Sequence, residues 1–139
     1  FLGDLTDEKI PDENKELMGE TENLTQNNTK LNLNFAFNYG SHDEIHNAVL
    51  NLHNLNLDKK LTLKDVKDSF INYFQYPEVP FPDLLLRTAG ERRVSNFLLY
   101  QLSYTELLFI EDLWPDINAD ILDEVLLEFN SRNRTYGKN

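Results

Sequence analysis

The chain has 139 residues, a formal net charge of −11 and no cysteine. That length suits one domain with a core of modest size. An acidic balance without a basic run excludes a nucleic-acid-binding face, the lack of thiols excludes a disulfide frame or thiolate metal site, and no apolar run approaches membrane-spanning length.

Phe1-Leu2 reads as the end of a strand and Gly3-Asp4 as the turn after it, so the sequence is expected to start inside a domain. From Asp12 to about Gln26 the pattern is helical and largely polar, with Leu17 and Leu24 seven residues apart and Gly19 lowering the propensity. A mostly exposed helix is expected. Lys30 to Phe37 alternates Leu31, Leu33, Phe35 and Phe37 with Asn32, Asn34 and Ala36. Period two predicts a strand with one face in the core. Asn38-Tyr39-Gly40 ends it. Ser41 is expected to cap a helix, with Glu44 at capping-box spacing and Ile45, Val49 and Leu52 on one face beside Ala48. His42 and His46 are four residues apart, as in helical metal pairs, but no third ligand is apparent and they read as solvated or capping side chains.

Asn54 to Lys60 is a polar connection. Thr62, with Asp65 three residues on, caps a helix whose apolar positions are Leu63, Val66, Phe70 and Phe74. Pro77, Pro80 and Pro82 make the next stretch a stiff loop.

Leu84 to Leu99 follows, reading LLLRTAGERRVSNFLL. A short apolar run before a glycine turn suits a buried parallel strand. Ser95 or Asn96 would cap a helix running to about Ser103. Strand, small-residue turn and helix start form the usual ligand-binding place of an open α/β sheet. Arg87, Arg92 and Arg93 gather there, and a helix N-terminus would add free N–H groups. Guanidinium forks match phosphate oxygens, so the residues themselves point to a phosphate or diphosphate pocket, against the plainer reading that the arginines pair with Glu91 and other surface acids. Glu106 to Ile110 is a further short strand, and Asn118 or Asp120 opens a last helix with Ile121, Leu122, Val125, Leu126 and Phe129 inward. Strands alternate with helices, which predicts an α/β fold with a largely parallel sheet flanked by helices.

The central stretch resembles the RTxGExRxSNFLLWQ signature of the cis-prenyltransferases, the family of undecaprenyl diphosphate synthase. Leu102-Ser103-Tyr104-Thr105-Glu106 is similar to that family's A-Y-x-E, Leu113-Trp114-Pro115-Asp116 to its LWPD, Gly3-Asp4 to its I-G-D-L, and Asn38-Tyr39-Gly40 to its N-Y-G-G-R-x-E-I. A match this long and ordered is specific.

The resemblance implies the C-terminal portion of a single cis-prenyltransferase domain spanning 1–139. It implies condensation of isopentenyl diphosphate with an allylic diphosphate to a cis-polyprenyl diphosphate. Arg87, Arg93 and Ser95 would then hold the diphosphate of isopentenyl diphosphate, with Val94 lining that pocket. Glu91 would orient Arg87 or Arg93. Glu106 would bind Mg²⁺, across a homodimer or beside the diphosphate. A cytoplasmic location with membrane association through the lipid product is expected on the same ground. The family's H-x-x-x-M-D-G-N-G-R-W-A motif, which supplies the metal-binding Asp and the allylic-diphosphate loop, has no counterpart in these residues. The chain alone is therefore expected to be inactive, and the alternative is a non-catalytic partner subunit of such an enzyme. Arg92 stands where some members have His. Thr135 replaces an Arg of the C-terminal pattern, in Arg132-Asn133-Arg134-Thr135-Tyr136-Gly137.

Overall fold

A computed structural model of the chain describes residues 1–133. Two compact units are present, Phe1–Val79 and Pro80–Asn139. The Arg134, Thr135 and Gly137 comparison lies outside the described residues.

In the first unit, α1 (Asp12–Thr25) has Asp12 and Glu13 in its first turn, where they complement the helix dipole. It buries no residue, as its polar pattern predicts. The predicted strand at Lys30–Phe37 is not formed. A single parallel bridge, Leu2 to Ala36, stands in its place, and the strand expected to close at Leu2 is reduced to the same bridge. Leu2 N–H donates to Phe35 O at 2.7 Å, and Phe37 N–H donates to Leu2 O at 2.8 Å. Leu31 and Leu33 are 77% and 68% exposed, so the apolar face does not lie in a core. The reason is that strand backbone needs a partner along its length. Among the described residues only Leu2 is bridged to this stretch.

Helix α2 (Ser41–Asn54) begins one residue earlier than a Ser41 cap allows. Gly40 is the N-cap, and its carbonyl accepts from Glu44 N–H at 3.1 Å. Ser41 lies within the helix and is fully buried. No capping box forms there, and the Glu44 carboxylate instead accepts from Tyr39 O–H at 2.6 Å. The buried residues are Ser41, Ala48 and Leu52, while Val49 is exposed. The buried stripe is thus rotated from the predicted one and follows the spacing i, i+7, i+11. It packs against the 3₁₀ turn Phe70–Tyr73. Helix α3 (Leu63–Ser69) carries the expected capping box between Thr62 and Asp65. Phe74 is buried and meets Phe70 edge to face at 5.2 Å. Leu63, at the first helical position, is exposed rather than part of the core.

The second unit is built on β1 (Leu84–Arg87) and β2 (Glu106–Phe109), paired in parallel with Leu84 opposite Glu106 and Arg87 opposite Phe109. Leu108 is buried. Thr105 Oγ1 donates to Pro82 O at 2.7 Å just before the strands pair. Helix α4 (Ala119–Ser131) is capped by Asn118, whose Oδ1 accepts from Ile121 N–H at 3.1 Å. Val125 is buried between half-buried Ile121 and Phe129, one residue per turn. Leu122 and Leu126 are exposed, so the inward stripe is narrower than predicted. The architecture is α/β with a parallel sheet, as the alternation of elements predicts.

Candidate functional site

Arg87 closes β1, and its carbonyl accepts from Ile110 N–H at 3.0 Å, so the ladder holds the residue up to the strand's last atom. The turn Thr88-Ala89-Gly90 is then pinned to the end of β2. Ala89 N–H donates to Asp112 O at 2.8 Å and Gly90 N–H to Ile110 O at 2.9 Å. Both residues have positive φ, 64° and 66°. The chain folds back, and Arg87 Nη1 reaches it, donating to Ser95 Oγ at 2.9 Å and to the Arg93 carbonyl. Half-buried Val94 sits between these contacts, and its carbonyl accepts from Phe97 N–H at 3.0 Å. Arg87, Arg93, Val94 and Ser95 are thereby brought into one loop, closed by one guanidinium.

The helix predicted from Ser95 or Asn96 is absent. Ser95, Asn96 and Leu98 have φ of 46°, 62° and 45°. Left-handed backbone at non-glycine residues costs roughly 1–2 kcal/mol each and cannot continue a right-handed helix. Only a 3₁₀ turn, Gln101–Tyr104, forms further on. No helix dipole therefore acts at Ser95, and the cationic character of the loop comes from arginine alone.

Glu91 pairs with Arg93, one of the two partners expected for it. Arg92 Nη2 lies 3.6 Å from Glu111 Oε1. Both pairs are well exposed, and such pairs are worth roughly 0–1 kcal/mol. An incoming anion that takes either guanidinium gives up little. Arg87 is different: it is half-buried, fixed by neutral acceptors, and has no acid among its described partners.

Glu106 is not beside this loop. It opens β2 opposite Leu84, three residues from the Arg87 end, about 10 Å along the strand. Its Oε2 accepts from Arg132 Nη1 at 2.8 Å, and Arg132 Nη2 also donates to Glu128 Oε1 at 2.7 Å. Those hydrogen bonds, Glu106's first, hold the Arg132 pKa above its usual value. Among the described residues no group of three or more His, Cys, Asp or Glu side chains is placed to hold a metal ion. The described residues thus do not by themselves form a Mg²⁺ site. The carboxylate that the resemblance gives to Mg²⁺, Glu106, is bonded to the Arg132 guanidinium. The role of Arg132 escaped the sequence reading, although Glu128 and Arg132 stand at the i, i+4 spacing of a helical ion pair. The tie from Arg132 back to β2 is tertiary and has no local signal.

A pocket of about 570 Å³ lies within the first unit. It joins Gly3-Asp4 to Asn38-Tyr39-Gly40, with Asp43, Glu44 and His46 on its wall. Asn38 Nδ2 donates to Asp4 O at 3.0 Å. The Thr6 hydroxyl and amide, both donating to Asp4 Oδ1, hold the Asp4 carboxyl below its usual range. A wall of carboxylates does not suit a diphosphate. No helix of the described residues is long and apolar enough to cross a membrane.

The family model described as "Putative undecaprenyl diphosphate synthase" matches residues 1–137. An isoprenyl transferase of Chlamydia trachomatis is 41% identical over 138 residues, 99% of this chain and 54% of the relative. A Micrococcus luteus ditrans,polycis-undecaprenyl-diphosphate synthase is 36% identical, covering 92% of this chain and 52% of that protein. The crystal structure of lavandulyl diphosphate synthase from Lavandula x intermedia, in complex with dimethylallyl diphosphate, superposes with a TM-score of 0.89 at 30% identity, over 99% of this chain and 58% of that one. The chain thus spans about half the length of the curated relatives it matches. With the family match running through both units and across the Arg87 loop, the chain belongs to the undecaprenyl diphosphate synthase family.

Proposed function

We propose that this chain is the isopentenyl-diphosphate-binding portion of a cis-prenyltransferase domain, with Arg87, Arg93 and Ser95 as the diphosphate contacts and Val94 beside them. The observation that carries the reading is the Arg87 guanidinium, fixed on Ser95 Oγ and the Arg93 carbonyl at the end of a parallel strand. A diphosphate placed there would accept from Arg87 and, on release of Glu91, from Arg93. Each such contact is charge-assisted, and two guanidinium forks match the oxygens of a diphosphate. The reaction assigned to the whole enzyme joins isopentenyl diphosphate to an allylic diphosphate with a cis double bond. This chain's share is to position one diphosphate and neutralise its charge. Mg²⁺ belongs to the proposal with Glu106 as a carboxylate that would serve it across a homodimer, since within one chain Glu106 stands at the far end of the strand pair from Arg87. Homodimer formation and a peripheral membrane contact through the lipid product belong to the whole enzyme in the same proposal.

Isothermal titration of the chain with isopentenyl diphosphate tests the reading. Saturable single-site binding that Arg87→Ala weakens is expected. Binding untouched by Arg87→Ala, or none at all, would remove the site from this loop. The alternative reading is a non-catalytic partner subunit of such an enzyme. Incorporation of labelled isopentenyl diphosphate into polyprenyl product, with Arg87→Ala as the discriminating variant, separates the two.

A further inference from the structure

The segment after Val94 has the sequence of a helix on a backbone that is not one. Ser95, Asn96 and Leu98 have φ of 46°, 62° and 45°. Asparagine tolerates the left-handed region, whereas a side chain as bulky as leucine is an outlier there. Beyond Leu98 the bonding is already helical. Leu102 N–H donates to Leu98 O at 2.9 Å, the i to i−4 bond of an α-helix, and the 3₁₀ turn Gln101–Tyr104 follows. Asn96 is a strong helix-capping residue type, and Phe97-Leu98-Leu99-Tyr100-Gln101-Leu102 contains neither Gly nor Pro. Left-handed backbone at Asn96 and Leu98 therefore stands between this segment and a continuous helix, next to the Ser95 hydroxyl that Arg87 holds.

We propose that Asn96–Leu99 is a diphosphate-responsive switch: left-handed in the free chain, and the first turn of a helix capped by Asn96 when isopentenyl diphosphate sits on the Arg87 loop. The inference rests on the diphosphate reading of that loop. Both contacts that fix the loop survive the change. Arg87 keeps Ser95 Oγ, which lies before the cap. Phe97 N–H keeps the Val94 carbonyl, because the first N–H of a helix has no partner within it. What the change adds is differential affinity. Only the helical form turns first-turn N–H groups and the positive end of a helix dipole towards an anion beside Arg87. A ligand shifts an equilibrium by preferring one of its states, and the strain at Leu98 raises the free form towards the helical one.

Titration of Leu98→Gly and Leu98→Ala with isopentenyl diphosphate is the test. Both variants lose the leucine side chain beyond Cβ, and what separates them is the backbone. Glycine is relaxed in the left-handed form and poor in a helix, and alanine is the reverse. The alanine variant is expected to bind at least about tenfold more tightly than the glycine variant. In the parent, the ligand should slow amide exchange at Leu98–Tyr100 and deepen the helical bands of the far-ultraviolet circular dichroism spectrum. Equal affinities of the two variants, or a spectrum that the bound ligand leaves unchanged, would overturn the switch and leave the diphosphate reading standing. A parent chain that does not bind isopentenyl diphosphate would overturn both.

Discussion

Glu106 and Arg87 stand at opposite ends of one strand pair, Glu106 level with Leu84 and Arg87 level with Phe109. The two residues that the family resemblance gives to metal and to diphosphate therefore do not meet within this chain. Glu106 meets Arg132 instead. Two consequences differ in sign. Replacing Glu106 by Gln removes the carboxylate from both Arg132 and any cation, so it should loosen the end of α4 and raise the Mg²⁺ concentration needed to support isopentenyl diphosphate binding. Replacing Arg132 by Gln should loosen α4 equally but free the carboxylate, lowering that concentration. Hydrogen exchange at Phe129–Ser131 and a magnesium titration of binding read the two effects. Equal half-saturation in parent and Glu106→Gln would withdraw Glu106 as a ligand.

Arg87 is expected to dominate the diphosphate contacts. Arg87→Ala and Arg93→Ala each delete a charge-assisted contact worth on the order of 1.5–3 kcal/mol, about tenfold to a hundredfold in affinity. Arg87→Ala should sit at the upper end, because it also releases Ser95 and the Arg93 carbonyl. Arg87→Lys keeps the charge but loses the planar fork that can hold the loop through Nη1 while its other nitrogens meet a diphosphate, so it should recover only part of the affinity. Competition against labelled isopentenyl diphosphate gives the ranking. A lysine variant equal to the parent would reduce the site to simple charge attraction.

The sequence made β1, β2, the Thr62–Asp65 cap and the Asn118 cap legible because each is written locally, as a short apolar run or as a side chain three residues from its target. Three features were not legible. The Leu31–Phe37 alternation marks a strand-competent segment, but pairing depends on what lies alongside. Ser95-Asn96 has helix-cap chemistry, yet the same small polar residues tolerate left-handed backbone, and the hydrogen bonds to Arg87 accompany that outcome. The Glu106–Arg132 tie links residues 26 apart and leaves no periodic trace. The Arg87–Ser95 contact joins residues only eight positions apart, which is why these residues could be read as one loop cluster.

Two glycines with positive φ should respond differently to alanine. At Gly90, φ is 66° and the new Cβ would approach Glu111 Oε2 at 2.5 Å, the tip of an exposed side chain that can swing away. The remaining penalty is the left-handed backbone, about 1–2 kcal/mol. At Gly3, φ is 115° and the Cβ would fall 2.0 Å from the Phe37 carbonyl, which is backbone. Relief requires breaking the Leu2–Ala36 bridge. Gly3→Ala should therefore exceed the roughly 1–3 kcal/mol of ordinary backbone strain. Urea unfolding with equal losses for both variants would contradict this ranking.

Acid should fray α3 from its N-terminus. Asp65 is held below its usual pKa of 3.8, first by the Thr62 N–H and then by the Thr62 hydroxyl, both donating to its carboxylate. A carboxyl with a depressed folded-state value adds stability above its unfolded value, and that stability is lost as pH falls through the folded value. The cap should thus hold above 3.8 and weaken only below it. Amide exchange at Leu63–Val66 should rise in that acid window in the parent. In Asp65→Asn the rise should be missing, and its persistence there would assign the effect to another carboxyl, with Asp4 the first to test.

The chain by itself should not make polyprenyl diphosphate. It offers the Arg87 loop for one diphosphate, but its residues contain no counterpart of the H-x-x-x-M-D-G-N-G-R-W-A motif that the resemblance assigns to the allylic diphosphate and its metal. Positioning and charge neutralisation of the leaving diphosphate are the terms that carry most of the rate, so losing one of two binding loops removes turnover rather than reducing it. Supplying a segment with that motif, fused or in trans, should restore incorporation of labelled isopentenyl diphosphate into butanol-extractable product. Restored activity should fall again in Arg87→Ala, which a purely structural partner subunit would not require. If the supplemented chain turns over and Arg87→Ala changes nothing, the partner-subunit reading replaces the catalytic one. Sustained turnover by the unsupplemented chain would place the allylic site among these 139 residues.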